Sequence, residues 1–188
     1  MVELRPLTIP GVYEILPKKF GDHRGFFSET WNQAALGEAG LESDFVQDNH
    51  SYSAAEGVLR GLHLQLGSYA QDKLVRVVHG TVWDVAVDMR PSSPTLGQWV
   101  ALELSRERWN QIFVPKGFAH GFVTTGPDAE VLYKVSTPYA PEWEISISYD
   151  DPALAIEWPI ESSAVQLSAK DQAGISFAEA LALVREHG

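Results

Sequence analysis

The stretch Pro115-Lys116-Gly117-Phe118-Ala119-His120-Gly121-Phe122 decides the fold class, because it joins a tight turn to a strand. Pro115 to Gly117 has the composition of a turn, since proline and glycine suit the backbone angles that turns require. The run 118–124 then combines aromatic and β-branched residues, which is typical of a β-strand. A histidine inside this run introduces a polar group into a strand that otherwise belongs in a core.

Short β-branched and aromatic runs continue in both directions from this stretch, separated by turn residues. His79-Gly80 is one such turn, because glycine adopts a positive φ at no steric cost. The pattern is typical of an all-β barrel or sandwich. It predicts strands at 12–16, 26–31, 45–52, 58–66, 74–78, 81–89, 99–104, 111–114, 118–124, 131–137, 145–149 and 155–158.

Two short helices are predicted beside the strands. The first covers 32–39 and ends at Gly40, a natural C-terminal cap. The second begins with the capping-box pattern Ser176-Phe177-Ala178-Glu179. We expect this C-terminal helix to pack on the outside of the barrel through one apolar face, formed by Phe177, Ala180, Leu181 and Val184.

Composition excludes several classes of function. The 188 residues suffice for one well-buried domain, and no linker or repeat divides them, so we expect a single domain spanning 1–188. No run approaches the ~20 apolar residues that cross a bilayer, and the N-terminus lacks a signal-peptide pattern, so we expect a cytoplasmic protein without membrane contact. A net charge of −11 argues against nucleic-acid binding. The absence of cysteine excludes disulfides and thiolate chemistry.

The segment 60–65, Arg-Gly-Leu-His-Leu-Gln, places polar residues inside a run that is otherwise typical of a core strand. Strict alternation predicts that Arg60 faces one side of the strand and His63 the other. Taken alone, His63 is better interpreted as a structural core histidine. Unpaired buried polar groups cost several kcal/mol each, however, so a polar set facing a barrel interior usually has a function.

The pattern Pro115-x-Gly117-x-x-His120 resembles the second conserved motif of cupins, which are jelly-roll barrels. The first cupin motif normally supplies a His-x-His pair and a later Glu as metal ligands, whereas here Leu64-Gln65 follow His63. Two histidines without a further nearby ligand form a poor site for zinc or iron. We therefore expect a cupin-type jelly-roll barrel with a few short peripheral helices and a pocket that holds no metal or other cofactor.

Further motifs bring the resemblance from a fold to a family. In order and spacing they are similar to the dTDP-4-dehydrorhamnose 3,5-epimerase family, from about residue 10 to residue 171. The chain departs from the usual pattern at Leu64 and at Tyr149-Asp150. These positions contribute to pocket walls or to packing. The matching motifs are Asp22-x-Arg24-Gly25-x-Phe27-x-Glu29, Gln47-x-Asn49-x-Ser51, Arg60-Gly61-Leu62-His63-x-Gln65, Lys73-Leu74-Val75, Pro115-x-Gly117-Phe118-Ala119-His120-Gly121-Phe122, Leu132-Tyr133-Lys134, Tyr139-x-Pro141, Asp151-Pro152 and Leu167-Ser168-x-Lys170-Asp171.

The resemblance implies a role for each catalytic position. His63 corresponds to the base that removes protons beside the C4 ketone of dTDP-4-keto-6-deoxyglucose, and Asp171 to the carboxylate that orients it. Tyr133 corresponds to the acid on the opposite face. Lys73, helped by His120, corresponds to the group that stabilises the enolate oxygen. This chemistry is reasonable in itself, because protons next to a ketone are acidic enough for an imidazole base when the enolate is stabilised.

The resemblance also implies a homodimer and a substrate-binding set. Tyr139 matches the aromatic residue that stacks on thymine, and Arg24, Arg60 and Lys170 could neutralise the diphosphate despite the acidic surface. The predicted substrate-binding residues are Arg24, Phe27, Glu29, Gln47, Asp48, Asn49, Arg60, Lys73, His120, Tyr139, Glu144 and Lys170.

Four alternatives remain open on the sequence. A relative that inverts one carbon, C3 or C5, has the same base and acid, so the motifs do not separate it from a two-carbon epimerase. A 3,4-ketoisomerase on the same scaffold is a further enzyme to consider. A non-catalytic sugar-binding cupin is disfavoured because binding alone needs no acid–base pair, and a metal-dependent cupin oxygenase is disfavoured by the missing His-x-His.

Overall fold

The computed structural model describes residues 2–187. Within this range the dominant element is the β-strand, as the sequence predicts. The strands are β1 (Glu3–Pro6), β2 (Tyr13–Leu16), β3 (Lys19–Asp22), β4 (Gly25–Ser28), β5 (Gln47–Ser53), β6 (Leu59–Gln65), β7 (Lys73–His79), β8 (Thr81–Asp88), β9 (Trp99–Ser105), β10 (Gln111–Val114), β11 (Phe118–Thr124), β12 (Ala129–Val135) and β13 (Glu144–Ser146).

Two antiparallel sheets form the body of the molecule. One has six strands in the order β1-β2-β10-β7-β12-β5, and the other has five in the order β13-β6-β11-β8-β9. β3 and β4 form a separate two-stranded hairpin. Neighbours in the sheets are often distant in sequence, so closing this topology requires many long-range contacts.

Apolar side chains from both sheets meet in a common core. Val75 and Val131 come from the six-stranded sheet, and Val82 and Phe118 come from the five-stranded one. All four are at most 2% exposed, and burial of this kind is the main term that stabilises a fold. The core fills one end of the space between the sheets and leaves polar side chains at the other.

Three α-helices of the described range lie outside the sheets: α1 (Gln33–Glu38), α2 (Ala169–Gln172) and α3 (Phe177–His187). The predicted capping box of α3 is present, since the backbone N–H of Ser176 donates to Glu179 at 2.9 Å. Ala180 and Val184 of α3 pack against the outer face of the five-stranded sheet. The prediction of an all-β barrel with peripheral helices, one of them C-terminal, is confirmed.

Two predicted strands differ from the structure, and one helix was not predicted. The predicted strand at 155–158 is wrong, because Ala155 has a φ of 46° and the segment is a loop whose Trp158 packs on the five-stranded sheet. The predicted strand at 26–31 is shorter and belongs to the β3–β4 hairpin. The helix α2 was not predicted, since four residues give no measurable periodicity.

Candidate active site

A cavity of about 390 Å³ lies between the two sheets, at the end that the apolar core leaves free. Strands of both sheets and the segment around α2 contribute its walls. Most of the lining side chains are polar or charged. They are Gln47, Asn49, Ser51, Arg60, His63, Gln71, Lys73, His120, Phe122, Tyr133, Val135, Tyr139, Glu144, Ser168, Lys170 and Asp171.

His63 and Asp171 form a close pair on the cavity wall. The Nε2 atom of His63 lies 2.6 Å from Oδ1 of Asp171, whose other oxygen accepts the Ser168 hydroxyl at 2.7 Å. Burial raises the pKa of the Asp171 carboxyl, but the hydrogen bonds from His63 and Ser168 outweigh it and leave the pKa below its usual value. An ionised Asp171 can only accept, so Nε2 of His63 carries the proton and Nδ1 carries the lone pair of a base.

A β-bulge places Arg60 and His63 on the same wall. Between Arg60 and His63, two residues of β6 lie opposite a single residue of β11, so one residue of β6 is left unpaired. Gly61 permits the bulge with a φ of 131°, and a Cβ there would lie 2.5 Å from a backbone Cα of β11. The expectation from strict alternation, with Arg60 and His63 on opposite sides, was therefore wrong.

Glu144 faces the free nitrogen of His63. Its Oε1 lies 3.9 Å from Nδ1 of His63, and its Oε2 accepts the Tyr139 hydroxyl at 2.9 Å. Lys170 also donates to Oε2 and forms an ion pair with it. The hydrogen bond to Glu144 raises the pKa of the Tyr139 phenol.

Lys73 supplies a positive charge at the inner end of the cavity. Its Nζ lies 3.5 Å from the backbone carbonyl oxygen of His63. Burial lowers the pKa of the Lys73 ammonium group to about 8, although the negative charges of Glu144 and Asp84 act in the opposite direction. Lys73 is therefore protonated at neutral pH and close to its titration point.

His120 has a buried carboxylate partner that the sequence analysis did not identify. Nε2 of His120 lies 2.9 Å from both oxygens of Asp84, which is fully buried. Burial raises the pKa of the Asp84 carboxyl, against the opposing effects of His120 and Lys73. The available signal was one aspartate in the middle of the apolar strand 82–87. Such a residue needs a buried partner.

Tyr133 lines the cavity from β12, half-buried, opposite Asn49 of β5. Burial and the nearby negative charge of Glu144 raise the pKa of its phenol, so the proton stays on the oxygen at neutral pH. At the rim, Gln47 donates to the Asn49 side chain at 2.7 Å and accepts the backbone N–H of Tyr139 at 3.0 Å. These contacts join β5 to the loop that carries Tyr139.

Four predicted substrate-binding residues lie outside the cavity of the single chain. Arg24 is in the β3–β4 hairpin and pairs with Asp22 at 2.6 Å. Phe27 and Glu29 line a smaller pocket beside α1. Asp48 projects from the opposite face of β5 and pairs with Lys134 at 3.1 Å. The other predicted site residues come together around the cavity.

Sequence reasoning also missed the role of Ser168 in the cavity wall. Its hydroxyl accepts the backbone N–H of Asp171 at 3.2 Å, which caps α2. The same hydroxyl donates to the Asp171 carboxylate, so the cap also fixes the partner of His63. The spacing Ser-x-x-Asp was the available signal.

In residues 2–187, no group of three or more His, Cys, Asp or Glu side chains is arranged to hold a metal ion. None of the helices described in that range is long and apolar enough to span a membrane.

The family model described as dTDP-4-dehydrorhamnose 3,5-epimerase matches residues 6–179. The chain belongs to the dTDP-4-dehydrorhamnose 3,5-epimerase family. A relative from Salmonella typhimurium with that name is 53% identical over 175 residues, which cover 93% of this chain and 94% of the relative.

Solved structures of the family share the fold. The dTDP-6-deoxy-D-glucose-3,5-epimerase of Legionella pneumophila, in complex with dTDP-4-keto-L-rhamnose, has a TM-score of 0.90 and 47% identity, covering 95% of this chain and 94% of that one. The 3′-monoepimerase of Streptomyces bikiniensis, bound to dTDP-quinovose, has a TM-score of 0.86 and 34% identity. The match covers 95% of this chain and 90% of that one. A double mutant of the latter, with one histidine and one tyrosine replaced, has been solved with dTDP. The predicted cupin jelly-roll of this family is confirmed.

Proposed function

We propose that the protein inverts C3 and C5 of dTDP-4-dehydro-6-deoxy-D-glucose and so produces dTDP-4-dehydro-L-rhamnose for dTDP-rhamnose biosynthesis. The observation that carries the proposal is the His63–Asp171 pair, 2.6 Å apart, on the wall of a cavity that Tyr133 and Lys73 also line. This set contains a base, its orienting carboxylate, an acid and a cation, which are the groups that inversion next to a ketone requires.

His63 begins the reaction. Its Nδ1 takes the proton from the sugar carbon beside the ketone. The C–H electron pair forms a double bond to the carbonyl carbon, and the ketone oxygen takes the negative charge of an enolate. Asp171 accepts the Nε2–H of His63, which holds the imidazole ring in place, and it stabilises the imidazolium that results. Because Asp171 is itself anchored by Ser168, the ring keeps one orientation through the reaction.

Lys73 and His120 stabilise the enolate oxygen. A cation held in a partly buried site interacts strongly with developing negative charge, because little water screens it. Asp84 fixes His120 from behind and adds a negative charge near Lys73. Asp84 thereby helps to retain the proton of Lys73 inside the cavity.

Tyr133 completes the inversion by giving its phenolic proton to the opposite face of the carbon. In the double mutant of the Streptomyces bikiniensis enzyme, the replaced histidine and tyrosine are as far apart along the chain as His63 and Tyr133 are here. This agreement in spacing supports the assignment of the pair as base and acid.

The nucleotide binds at the rim in this proposal. Arg60 and Lys170, which line the cavity together with Lys73, neutralise the diphosphate. Tyr139, 53% exposed, stacks on the thymine, while Gln47 and Asn49 supply amide hydrogen bonds. The reaction needs no metal or organic cofactor, since side chains supply both proton transfers and the oxyanion site.

A homodimer is part of the proposal. The β3–β4 hairpin exposes Phe20, Phe26 and Phe27 by 52%, 52% and 69%, and large apolar side chains exposed together are typical of an interface. β5 forms an edge of the six-stranded sheet beside the cavity, and such an edge can pair with a second chain. In a two-fold dimer the hairpin of one protomer covers the rim of the other and brings Arg24, Phe27 and Glu29 to the substrate. We also propose a cytoplasmic location for this dimer.

Inversion of one carbon is the second candidate, favoured by the similarity to the 3′-monoepimerase at 34% identity. The 53% identity to the Salmonella typhimurium 3,5-epimerase favours the two-carbon reaction. The test is to incubate the purified protein with dTDP-4-dehydro-6-deoxy-D-glucose and determine the product's configuration by NMR. Inversion at both carbons supports the proposal, inversion at one supports the second candidate, and unchanged substrate contradicts both.

A further inference from the structure

The two-carbon reaction, on which this inference rests, demands that one base act twice on the same bound sugar. Each inversion leaves a proton on His63 and takes one from Tyr133. Before the second inversion, His63 must lose its proton and Tyr133 must regain one, while the substrate still fills the cavity. A two-carbon epimerase therefore needs a proton path that leads away from His63 without passing through the substrate.

Glu144 lies beside Nδ1 of His63, the atom at which such a path must begin. Its Oε1 is 3.9 Å from Nδ1, the nitrogen that takes the substrate proton, and a movement of about 1 Å brings the two atoms within hydrogen-bond distance. The backbone explains this approach, because β13 pairs with β6 and places Ser146 opposite His63 and Glu144 opposite Gln65. Glu144 is thus two residues along the strand, on the face that His63 occupies.

The second oxygen of Glu144 leads to solvent. The Glu144 side chain is only 11% exposed, but its Oε2 accepts hydrogen bonds from Tyr139 and Lys170, which are 53% and 45% exposed. The carboxylate therefore connects a buried nitrogen on one side with two solvent-accessible groups on the other. Once Glu144 moves within hydrogen-bond distance of Nδ1, hydrogen bonds run without a break from His63 to the rim, as a proton relay requires.

Neighbouring groups are less suited to this role. Both Asp171 oxygens are engaged, one by the Nε2–H of His63 and one by the Ser168 hydroxyl. Lys73 contacts the backbone carbonyl oxygen of His63 and not its ring. Asp84 is fully buried behind His120.

We propose that Glu144 is a proton-relay residue that resets His63 between the two inversions. The N–H bond of the imidazolium breaks, the electron pair returns to Nδ1, and an O–H bond forms at Oε1 of Glu144. Glu144 then gives this proton to water at the rim beside Tyr139. Water returns one proton to the Tyr133 phenolate, so the enzyme regains its starting state with no net change in protons. Glu144 acts through His63 and does not touch the reacting carbon.

The test uses Glu144→Gln in the full-length protein, because an amide oxygen still accepts hydrogen bonds from Tyr139 and Lys170 but does not take up a proton. Glu142→Gln is the matched control, since Glu142 is an exposed carboxylate two positions away. Single-turnover and steady-state rates are measured with saturating dTDP-4-dehydro-6-deoxy-D-glucose. Imidazole is varied at fixed pH and ionic strength as an external proton carrier.

We expect Glu144→Gln to reduce the rate of the first inversion much less than the steady-state rate, because Glu144 does not touch the reacting carbon. The variant's steady-state rate falls by about 10²-fold or more in dilute buffer, the loss expected when a positioned proton-transfer group is removed. Added imidazole restores that rate, and the released product contains more sugar inverted at one carbon. Glu142→Gln behaves like the unmodified protein in all three respects.

Two results would overturn the relay. One is an equal loss of first inversion and steady-state rate at every imidazole concentration, which is the behaviour of a residue that only binds substrate. The other is an unchanged steady-state rate in dilute buffer. Failure of the proposed function is recognised separately, because in that case the unmodified protein yields no inverted product.

Discussion

Nε2 of His63 and Oδ1 of Asp171 lie 2.6 Å apart, although 108 positions separate the two residues in the chain. β6 holds the histidine and the short helix α2 holds the aspartate, so the pair forms only when α2 docks beside the sheet. Ser168 fixes that docking by capping α2 and bonding the Asp171 carboxylate at once. The arrangement gives His63 one tautomer and one orientation.

Asp171→Asn tests the orienting role of this carboxylate. The amide can present its NH₂ group to Nε2 and so favour the wrong tautomer, with the lone pair turned away from the substrate. We expect kcat/KM to fall on the order of 10²-fold or more, with the fold retained. Steady-state kinetics and circular dichroism check this, with Asp150→Asn on the exposed surface as the control. Activity within twofold of the unmodified protein would remove Asp171 from the mechanism.

Tyr133→Phe separates proton removal from inversion. The phenylalanine ring keeps the packing on β12, and His63 still forms the enolate against Lys73, so exchange of the proton next to the ketone persists. Inverted product falls by about 10²–10⁴-fold, the usual contribution of a positioned acid. Deuterium wash-in and product configuration are followed in the same sample. An equal loss of both would mean that Tyr133 serves enolate formation or pocket shape, and unchanged inversion would assign the acid to another group.

The lowered pKa of Lys73 predicts that activity declines at alkaline pH. Burial lowers the pKa of its ammonium group to about 8, so the cation proposed to stabilise the enolate is present below pH 8 and is lost as the pH rises through that value. We expect kcat/KM, which reports the free enzyme, to decline above about pH 8. Lys73→Arg should be less active but free of this decline, because a guanidinium stays protonated. A flat profile up to pH 10 in the unmodified protein would contradict the assignment.

The proposed dimer predicts complementation between two inactive variants. In the proposed dimer, Arg24→Ala removes a group that the hairpin would bring to the neighbouring site, and His63→Ala removes the proposed base from a protomer's own site. Each variant alone should lose activity, whereas a mixed dimer contains one intact site and regains part of it. Co-expression, light scattering for mass and activity measurement check this. A fully active monomer, or no recovery in a verified mixed dimer, would count against a site shared between protomers.

Much of the fold was predictable because its signals are local. Alternating apolar runs gave the main strands, and Ser176 with Glu179 gave the start of α3. The segment 155–158 misled because Ile156 and Trp158 alternate like a strand while packing from a loop. Alternation also failed at Arg60, since a bulge depends on the register between two strands, which one strand's sequence does not contain.

Site prediction depended on the family motifs more than on patterning. The motif residues His63, Lys73, Tyr133 and Asp171 do line one cavity. Asp84 was missed because its importance depends on a long-range contact with His120, 36 positions away. Arg24, Phe27 and Glu29 lie away from the cavity in one chain, and an assembly of two chains is the arrangement that would reconcile them with the motifs.

The most direct test of the central claim, that His63 removes both protons from a single site, is deuterium incorporation in D₂O. The unmodified protein and His63→Ala are incubated with dTDP-4-dehydro-6-deoxy-D-glucose, and NMR locates deuterium at each carbon. We predict deuterium at both C3 and C5 with the unmodified protein and at neither carbon, above the rate without enzyme, with His63→Ala. Incorporation by His63→Ala at a rate near that of the unmodified protein would contradict the account, because the proton would then have left without the proposed base.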